Sequence, residues 1–148
     1  MIKVFRDPLL GAAFIAAPVF WIAWFLYLDA EPNWEWPLAS PRQFLLLAII
    51  YPILEEFVFR GALQGWLRKR DSMLHDWRGL TLANVITSAA FSVFHLFRNS
   101  VGISIAVFAP SMIFGFFRDR YDHLHTPIAL HIFYNAGFVW LFLNSGLR

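Results

Sequence analysis

Tyr51-Pro-Ile-Leu-Glu-Glu-Phe-Val-Phe-Arg-Gly61 lies inside an apolar run from about Phe44 to Leu67 and sets two demands that pull against each other. The run is long enough to cross a bilayer, for which about 20 apolar residues suffice, yet it carries two carboxylates and a guanidinium near its middle. A charged side chain at the bilayer centre costs at least roughly 2.5–3.5 kcal/mol on insertion scales, so intramembrane ionisable groups are functional candidates by default. Both demands are met if this stretch is a membrane helix whose polar face lines the interior of a bundle.

The rest of the chain agrees. Of 148 residues 59% are hydrophobic, 19% aromatic and 15% charged, against roughly 45–50% apolar and about 25% charged in an ordinary soluble domain. Four more apolar runs, about Leu9–Leu28, Leu80–Phe97, Val101–Phe117 and Leu124–Leu143, complete an all-α fold. We expect a polytopic bundle of about five transmembrane helices, a single domain over 1–148, with a polar cavity between helices 2, 3 and 5. The third and fourth runs are short and nearly contiguous, so one of them is a candidate re-entrant segment. The first exceeds the roughly 7–15 apolar residues of a signal sequence and lacks a small-residue cleavage site, so it reads as a retained helix. Pro18, Pro52 and Pro110 fall inside runs, which a membrane bundle tolerates better than a soluble helix does. The absence of cysteine excludes a disulfide scaffold, thiolate metal sites and a cysteine nucleophile.

The net charge of +2 comes from bases that punctuate the runs, which points to topology and not to a nucleic-acid partner. Lys3, Arg6, Arg68, Lys69, Arg70, Arg78, Arg118 and Arg120 fall on one side, and Arg42, Arg98 and Arg148 on the other. The positive-inside rule then places the N-terminus in the cytoplasm and the C-terminus outside, in what reads as a bacterial inner membrane. Trp24, Tyr27, Trp66 and Trp140 are the expected interfacial anchors.

Glu56 and Arg60 stand at i and i+4, acid first, and can neutralise each other on one helix face. Glu55 lies about 100° round the helix, where its partner is expected from another helix. His95 closes Phe91-Ser-Val-Phe-His95 on the third run, and His131 opens His131-Ile-Phe-Tyr-Asn135 on the fifth, with His131 and Asn135 again sharing a face. A lone histidine on an apolar face is satisfied by one hydrogen bond and is ordinarily structural. Polar residues on three helices are costly if each faces lipid, and one shared cavity is the economical arrangement. A carboxylate in a low-dielectric cavity becomes more basic, and with a neighbouring imidazole it can deprotonate water. A second imidazole and an amide are suited to hold the oxyanion formed when that water attacks a peptide carbonyl. The expected reaction is peptide hydrolysis within the membrane.

Glu55-Glu56-x-x-x-Arg60, Phe91-x-x-x-His95 and His131-x-x-x-Asn135, in that order on successive apolar runs, resemble the motifs of the CPBP intramembrane proteases. That family includes the CAAX-prenyl protease called Ras-converting enzyme and many bacterial Abi proteins. The resemblance covers about Phe44 to Leu143. It implies that Glu55 and His95 activate water, that His131 and Asn135 help bind and stabilise the tetrahedral intermediate, and that Glu56 and Arg60 support them. It implies no cofactor. Its substrate is a membrane-anchored protein or peptide, and some short bacterial relatives act on C-terminal sorting segments of exported proteins. Many relatives have six to eight spans, so five puts this chain among the compact ones.

Other readings compete. Glu55, His95 and His131 form a ligand set that zinc accepts with a fourth position for water, although the chain has no H-E-x-x-H. A transporter or proton relay could use the same ionisable groups, but paired discontinuous repeats are not evident. A bacteriocin-immunity or interaction protein could keep the fold without catalysis. Among the remaining polar residues, Asn84 and Thr87 are expected to make helix-contact hydrogen bonds, and Ser88, Ser92, Ser104 and Ser111 to permit close approach. His75, His123 and His125 are expected in solvated connections.

Overall fold

The computed structural model describes residues 6–28, 30–31, 33–143 and 146–147. Lys3, Asp29 and Arg148, which entered the charge comparison, lie outside the described residues. The fold is all-α with three short antiparallel or turn elements between helices, and each apolar run has become helical. Helix α1 is Pro8–Leu28 and α2 is Trp36–Ala39. Helix α3 runs through Pro41–Leu45, Leu46–Ile50, Tyr51–Glu56, Phe57–Gln64 and Gly65–Leu67. Then follow α4, Leu82–His95, α5, Val101–Ala106, α6, Phe108–Tyr121, and α7, His125–Phe142. By length and composition Pro8–Tyr27 and Val101–Tyr121 are each sufficient to cross a membrane.

Helix α3 is not uniform. Its segments Leu46–Ile50 and Phe57–Gln64 are π-helical, a wide turn with i→i+5 bonding that usually appears as a local bulge at functional sites. Pro52 gives the first a physical reason. Proline has no N–H, and its ring crowds the carbonyl four residues earlier, here that of Ala48. Widening the preceding turn relieves the crowding. The Tyr51 N–H then bonds the Leu46 carbonyl, five residues back, so the Leu47 carbonyl loses its α-helical donor, and Pro52 has no N–H to replace it.

Pro110 acts differently. The helical axis is interrupted at Val107, so Pro110 falls in the first turn of α6, where a backbone N–H would have no helical partner anyway. Helix α6 extends four residues past the expected end at Phe117. Arg118 and Arg120 therefore belong to its last turn, where positive charge complements the helix dipole.

The expected start of the third run at Leu80 is corrected. Leu80–Thr81 pairs antiparallel with Asp76–Trp77 in a small hairpin. Its two turn residues, Arg78 and Gly79, have φ of 56° and 88°, the left-handed geometry that a two-residue hairpin demands. At Gly79 a Cβ would lie 2.9 Å from the Phe116 ring. Thr81 then caps α4 by accepting the Asn84 N–H at 3.1 Å. The helix ends at His95 and does not continue past Arg98. With 14 residues it is about 21 Å long, shorter than the roughly 30 Å hydrocarbon core.

The chain divides into two compact units, residues 1–53 with 130–148, and residues 54–129. The first is built on aromatic packing. Phe133 of α7 meets Phe14 and Trp21 of α1, each with ring centroids 5.2 Å apart, and Gly137 admits the Trp21 indole, which a Cβ would strike. The Tyr134 hydroxyl donates to the Ala13 carbonyl at 2.8 Å. Trp36 is buried and donates through Nε1 to the Trp140 carbonyl at 3.1 Å. Trp140, expected as a simple anchor, also donates through its own Nε1 to the Trp34 carbonyl. In the second unit α4 and α6 pack closely because Gly115 faces Asn84, whose amide occupies the space a side chain would take.

Candidate active site

The second unit holds Glu55, Glu56, Arg60 and His95. Glu56 and Arg60 pair as the i, i+4 spacing predicts, with Arg60 Nε 3.3 Å from Glu56 Oε2 and both side chains at 0% exposure. Glu55 was expected to depend on another helix. It also acts within its own segment, because its charge reaches Arg60 alongside that of Glu56.

Arg60 is fixed from several directions. Its Nη2 donates to the Ser111 carbonyl at 2.8 Å and to Ser111 Oγ at 2.6 Å. Its guanidinium lies 5.0 Å from the centroid of the Phe91 ring and 5.7 Å from that of Phe114, favourable geometry for a cation over aromatic faces. Ser111 is thus more than a small residue that allows helices to approach.

One turn along α3, Gln64 Nε2 donates to the Gly115 carbonyl at 3.0 Å and to Asp119 Oδ1 at 2.9 Å. Asp119 Oδ2 accepts from the Thr81 hydroxyl at 2.6 Å, and Asp119 also pairs with Arg68 at 3.1 Å. Asn84 donates to the Met112 carbonyl at 3.0 Å and accepts from Ser88 through Oδ1 at 3.2 Å. These bonds join α3, α4 and α6 into one polar spine. The wide turn Phe57–Gln64 takes part: the Gly65 N–H turns to the Ala62 carbonyl, and Arg118 Nε donates to the Arg60 carbonyl at 3.4 Å. Thr87, expected to bond across helices, is fully buried, and its hydroxyl has no hydrogen-bond partner among the described residues.

His95 is half-buried at the end of α4. Its Nδ1 lies 2.9 Å from the Phe91 carbonyl oxygen, and its ring centroid is 4.3 Å from that of Phe91. A carbonyl only accepts, so this bond assigns the proton to Nδ1 and leaves Nε2 as the basic nitrogen of the neutral ring. Phe91-x-x-x-His95 thereby has a local cause: the i, i+4 spacing brings the imidazole back onto the carbonyl one turn earlier.

His131 and Asn135 belong to the first unit. His131 is buried, with 4% of its surface exposed. Asn135 Nδ2 donates to the Leu47 carbonyl at 3.2 Å, the group that Pro52 and the wide turn deprive of its helical donor. An amide nitrogen carries two hydrogens, so one is committed to α3 and one is left. The expectation that Asn135 acts purely as an oxyanion donor is corrected to that extent.

Sequence reading missed Ser111, Gln64 and Asp119. It also took Arg68 and Arg118 as orienting charges only, whereas both pair with Asp122 at 2.7 Å. Gln64 has a recognisable signal, since it stands four residues after Arg60 and eight after Glu56 and so shares their face. Among the described residues no group of three or more His, Asp or Glu side chains is arranged to hold a metal ion.

Residues 37–137 match the Rce1-like family, described as type II CAAX prenyl endopeptidase Rce1-like. No curated protein and no solved structure matches the chain at a significant level.

Proposed function

The chain belongs to the Rce1-like type II CAAX prenyl endopeptidase family, a family of proteases, and from that premise we propose that it is an intramembrane endopeptidase of the glutamic type. Five helices embed it in the membrane, with α1, α3, α4, α5 together with α6, and α7 as the membrane elements, the N-terminus cytoplasmic and the C-terminus outside. Glu55 and His95 activate a water molecule: Glu55 takes one proton, and His95 Nε2 orients the nucleophile and passes the proton to the leaving amine. His131 and the remaining N–H of Asn135 stabilise the tetrahedral oxyanion. Glu56 and Arg60 position Glu55 on α3. The substrate is a membrane-anchored protein cleaved near its C-terminus.

The observation that carries this reading is the His95 imidazole, anchored through Nδ1 with Nε2 left basic, in a chain whose three motifs fall within or end on helices of the expected order. A proton-handling role asks for a continuous polar path, and an immunity role asks for no anchored base. Zinc chemistry at Glu55, His95 and His131 gains no support from the grouping of side chains.

The test is co-expression with candidate substrates bearing C-terminal membrane anchors, read by mass spectrometry for new C-termini. Wild type should give products that Glu55→Gln and His95→Ala do not, and activity in detergent should survive chelators. Identical products from wild type and Glu55→Gln for every candidate would reject the proteolytic assignment for those substrates, and chelator-sensitive activity restored by zinc would favour the metal route. Because the chain contains no cysteine, single introduced cysteines can map which connections are reached by impermeant thiol reagents.

A further inference from the structure

The connection from α3 to α4 carries a set of side chains that neither water nor the bilayer core suits. Trp66, Leu74 and Trp77 are 52%, 43% and 67% exposed, and Lys69, Arg70 and Arg78 are interleaved with them and exposed. The pairing is specific. The Arg70 guanidinium lies 3.7 Å from the centroid of the Trp66 ring and that of Arg78 5.5 Å from Trp77. At the end of α6, Arg120 stands 5.8 Å from Phe116, the ring against which Gly79 of the hairpin turn is seated. Arg68 ties the same end of α3 to Asp119 and Asp122. The three arginine–aromatic pairs therefore belong to one end of the second unit.

Charge there is only partly cancelled. Asp119 and Asp122 are taken up by Arg68 and Arg118, and Asp76 accepts the Gly79 N–H at 2.7 Å. Asp71 and His75 are exposed on the connection. Lys69, Arg70 and Arg78 make no ion pair among the described residues. A guanidinium laid on an aromatic face keeps its edge N–H groups for other acceptors, and that edge matches the oxygens of a phosphate. Tryptophan beside it favours the headgroup level, where one side is apolar and the other wet.

We propose that this connection, residues 66–81 with the end of α6, lies in the headgroup layer and binds anionic phospholipid, with Arg70 and Arg78 as the phosphate-binding side chains and Trp66, Leu74 and Trp77 inserted between lipids. It rests on the membrane placement above and not on catalysis.

The test uses the full chain carrying Glu55→Gln, purified in detergent, with phosphatidylglycerol or phosphatidylcholine added at equal concentration and bound lipid counted by native mass spectrometry. The parent should retain phosphatidylglycerol several-fold better than phosphatidylcholine. Arg70→Gln/Arg78→Gln should weaken phosphatidylglycerol retention by at least about tenfold, at roughly fivefold per arginine near an anionic surface, and leave phosphatidylcholine unchanged. Arg70→Lys/Arg78→Lys keeps the charge and loses the planar fork. It should weaken retention by about two- to threefold, and it serves alone if the glutamine pair does not fold. Equal retention of both lipids by the parent, unchanged retention in these variants, or displacement by inorganic phosphate at millimolar concentration would overturn the proposal. Lipid preference without cleavage activity faults the protease mechanism alone, whereas cleavage without lipid preference faults only this surface.

Discussion

Arg60 and His95 both rest against Phe91, the first through its guanidinium at 5.0 Å and the second through its imidazole at 4.3 Å, but they are held in opposite ways. Arg60 is sealed at 0% exposure, paired with Glu56, bonded twice to Ser111 and placed over two aromatic rings. His95 closes a helix, is half-buried, and has a single hydrogen bond to the Phe91 carbonyl. A buried charge needs every available partner, because each one lost leaves desolvation uncompensated. A base needs one nitrogen fixed and the other open. The difference separates a residue that builds the fold from one that is available to react.

Substituting the two residues tests that separation most severely. Arg60→Met should strand Glu56 in the interior and cost about 3–5 kcal/mol, seen as a collapse of the melting transition in detergent. His95→Ala should leave the transition within about 1 kcal/mol of wild type while lowering cleavage by at least about 100-fold. A stability loss at His95 equal to that at Arg60 would erase the contrast.

Next in size, Gly115→Ala should push Asn84 off its seat and cost about 1–3 kcal/mol, read in the same melt. The spine would then be mechanically continuous with the α4–α6 contact. If Gly115→Ala is silent, Arg60 is held locally and the polar spine is not a single unit.

A smaller effect is expected at Asn135, where a double-mutant cycle is informative. Asn135→Ala should cost about 1–3 kcal/mol through the exposed need of the Leu47 carbonyl. In a Pro52→Ala background, where a backbone N–H returns to the turn, the cost should fall, giving a coupling of about 0.5 kcal/mol or more. Additive effects would mean that the amide and the proline are unrelated.

The smallest effect concerns Asp122, beyond the end of α6. Hydrogen bonds from Arg68, then from Arg118, hold its carboxyl down to about 2 from an ordinary 3.8. The sign follows directly: its stabilising contribution is fully present above about 3.8, declines as pH falls toward 2, and vanishes below. Its side chain is 75% exposed, so after solvent screening the contribution is less than about 1 kcal/mol. Asp122→Asn should flatten the acid limb of stability between those pH values and leave neutral stability nearly unchanged.

The helices were legible because apolar runs of bilayer length are bounded by charge, and Glu56 with Arg60 was legible because four residues separate them. The hairpin at Leu80–Thr81 was hidden inside an apolar run, although Arg78-Gly79 could have signalled a turn. Gln64, Thr81 and Asp119 bond across roughly 38 to 55 residues of chain, a distance over which periodicity carries no information. Arg68 and Arg118 looked like topological charges because composition counts a base without showing its partner. Asn135 was read as a donor correctly, but the acceptor became visible only once Pro52 was seen to alter the turn before it.

Each wide turn in α3 accommodates one residue more than an ordinary turn of the same helix. Removing one residue from 46–50 could therefore be absorbed without breaking the helix, yet everything downstream would change phase by about 100°. Glu55 would exchange faces with a neighbour while helix content stayed the same. Loop-like tolerance to a length change is thus absent from the middle of this helix: a one-residue deletion there should leave circular dichroism unaltered and abolish cleavage.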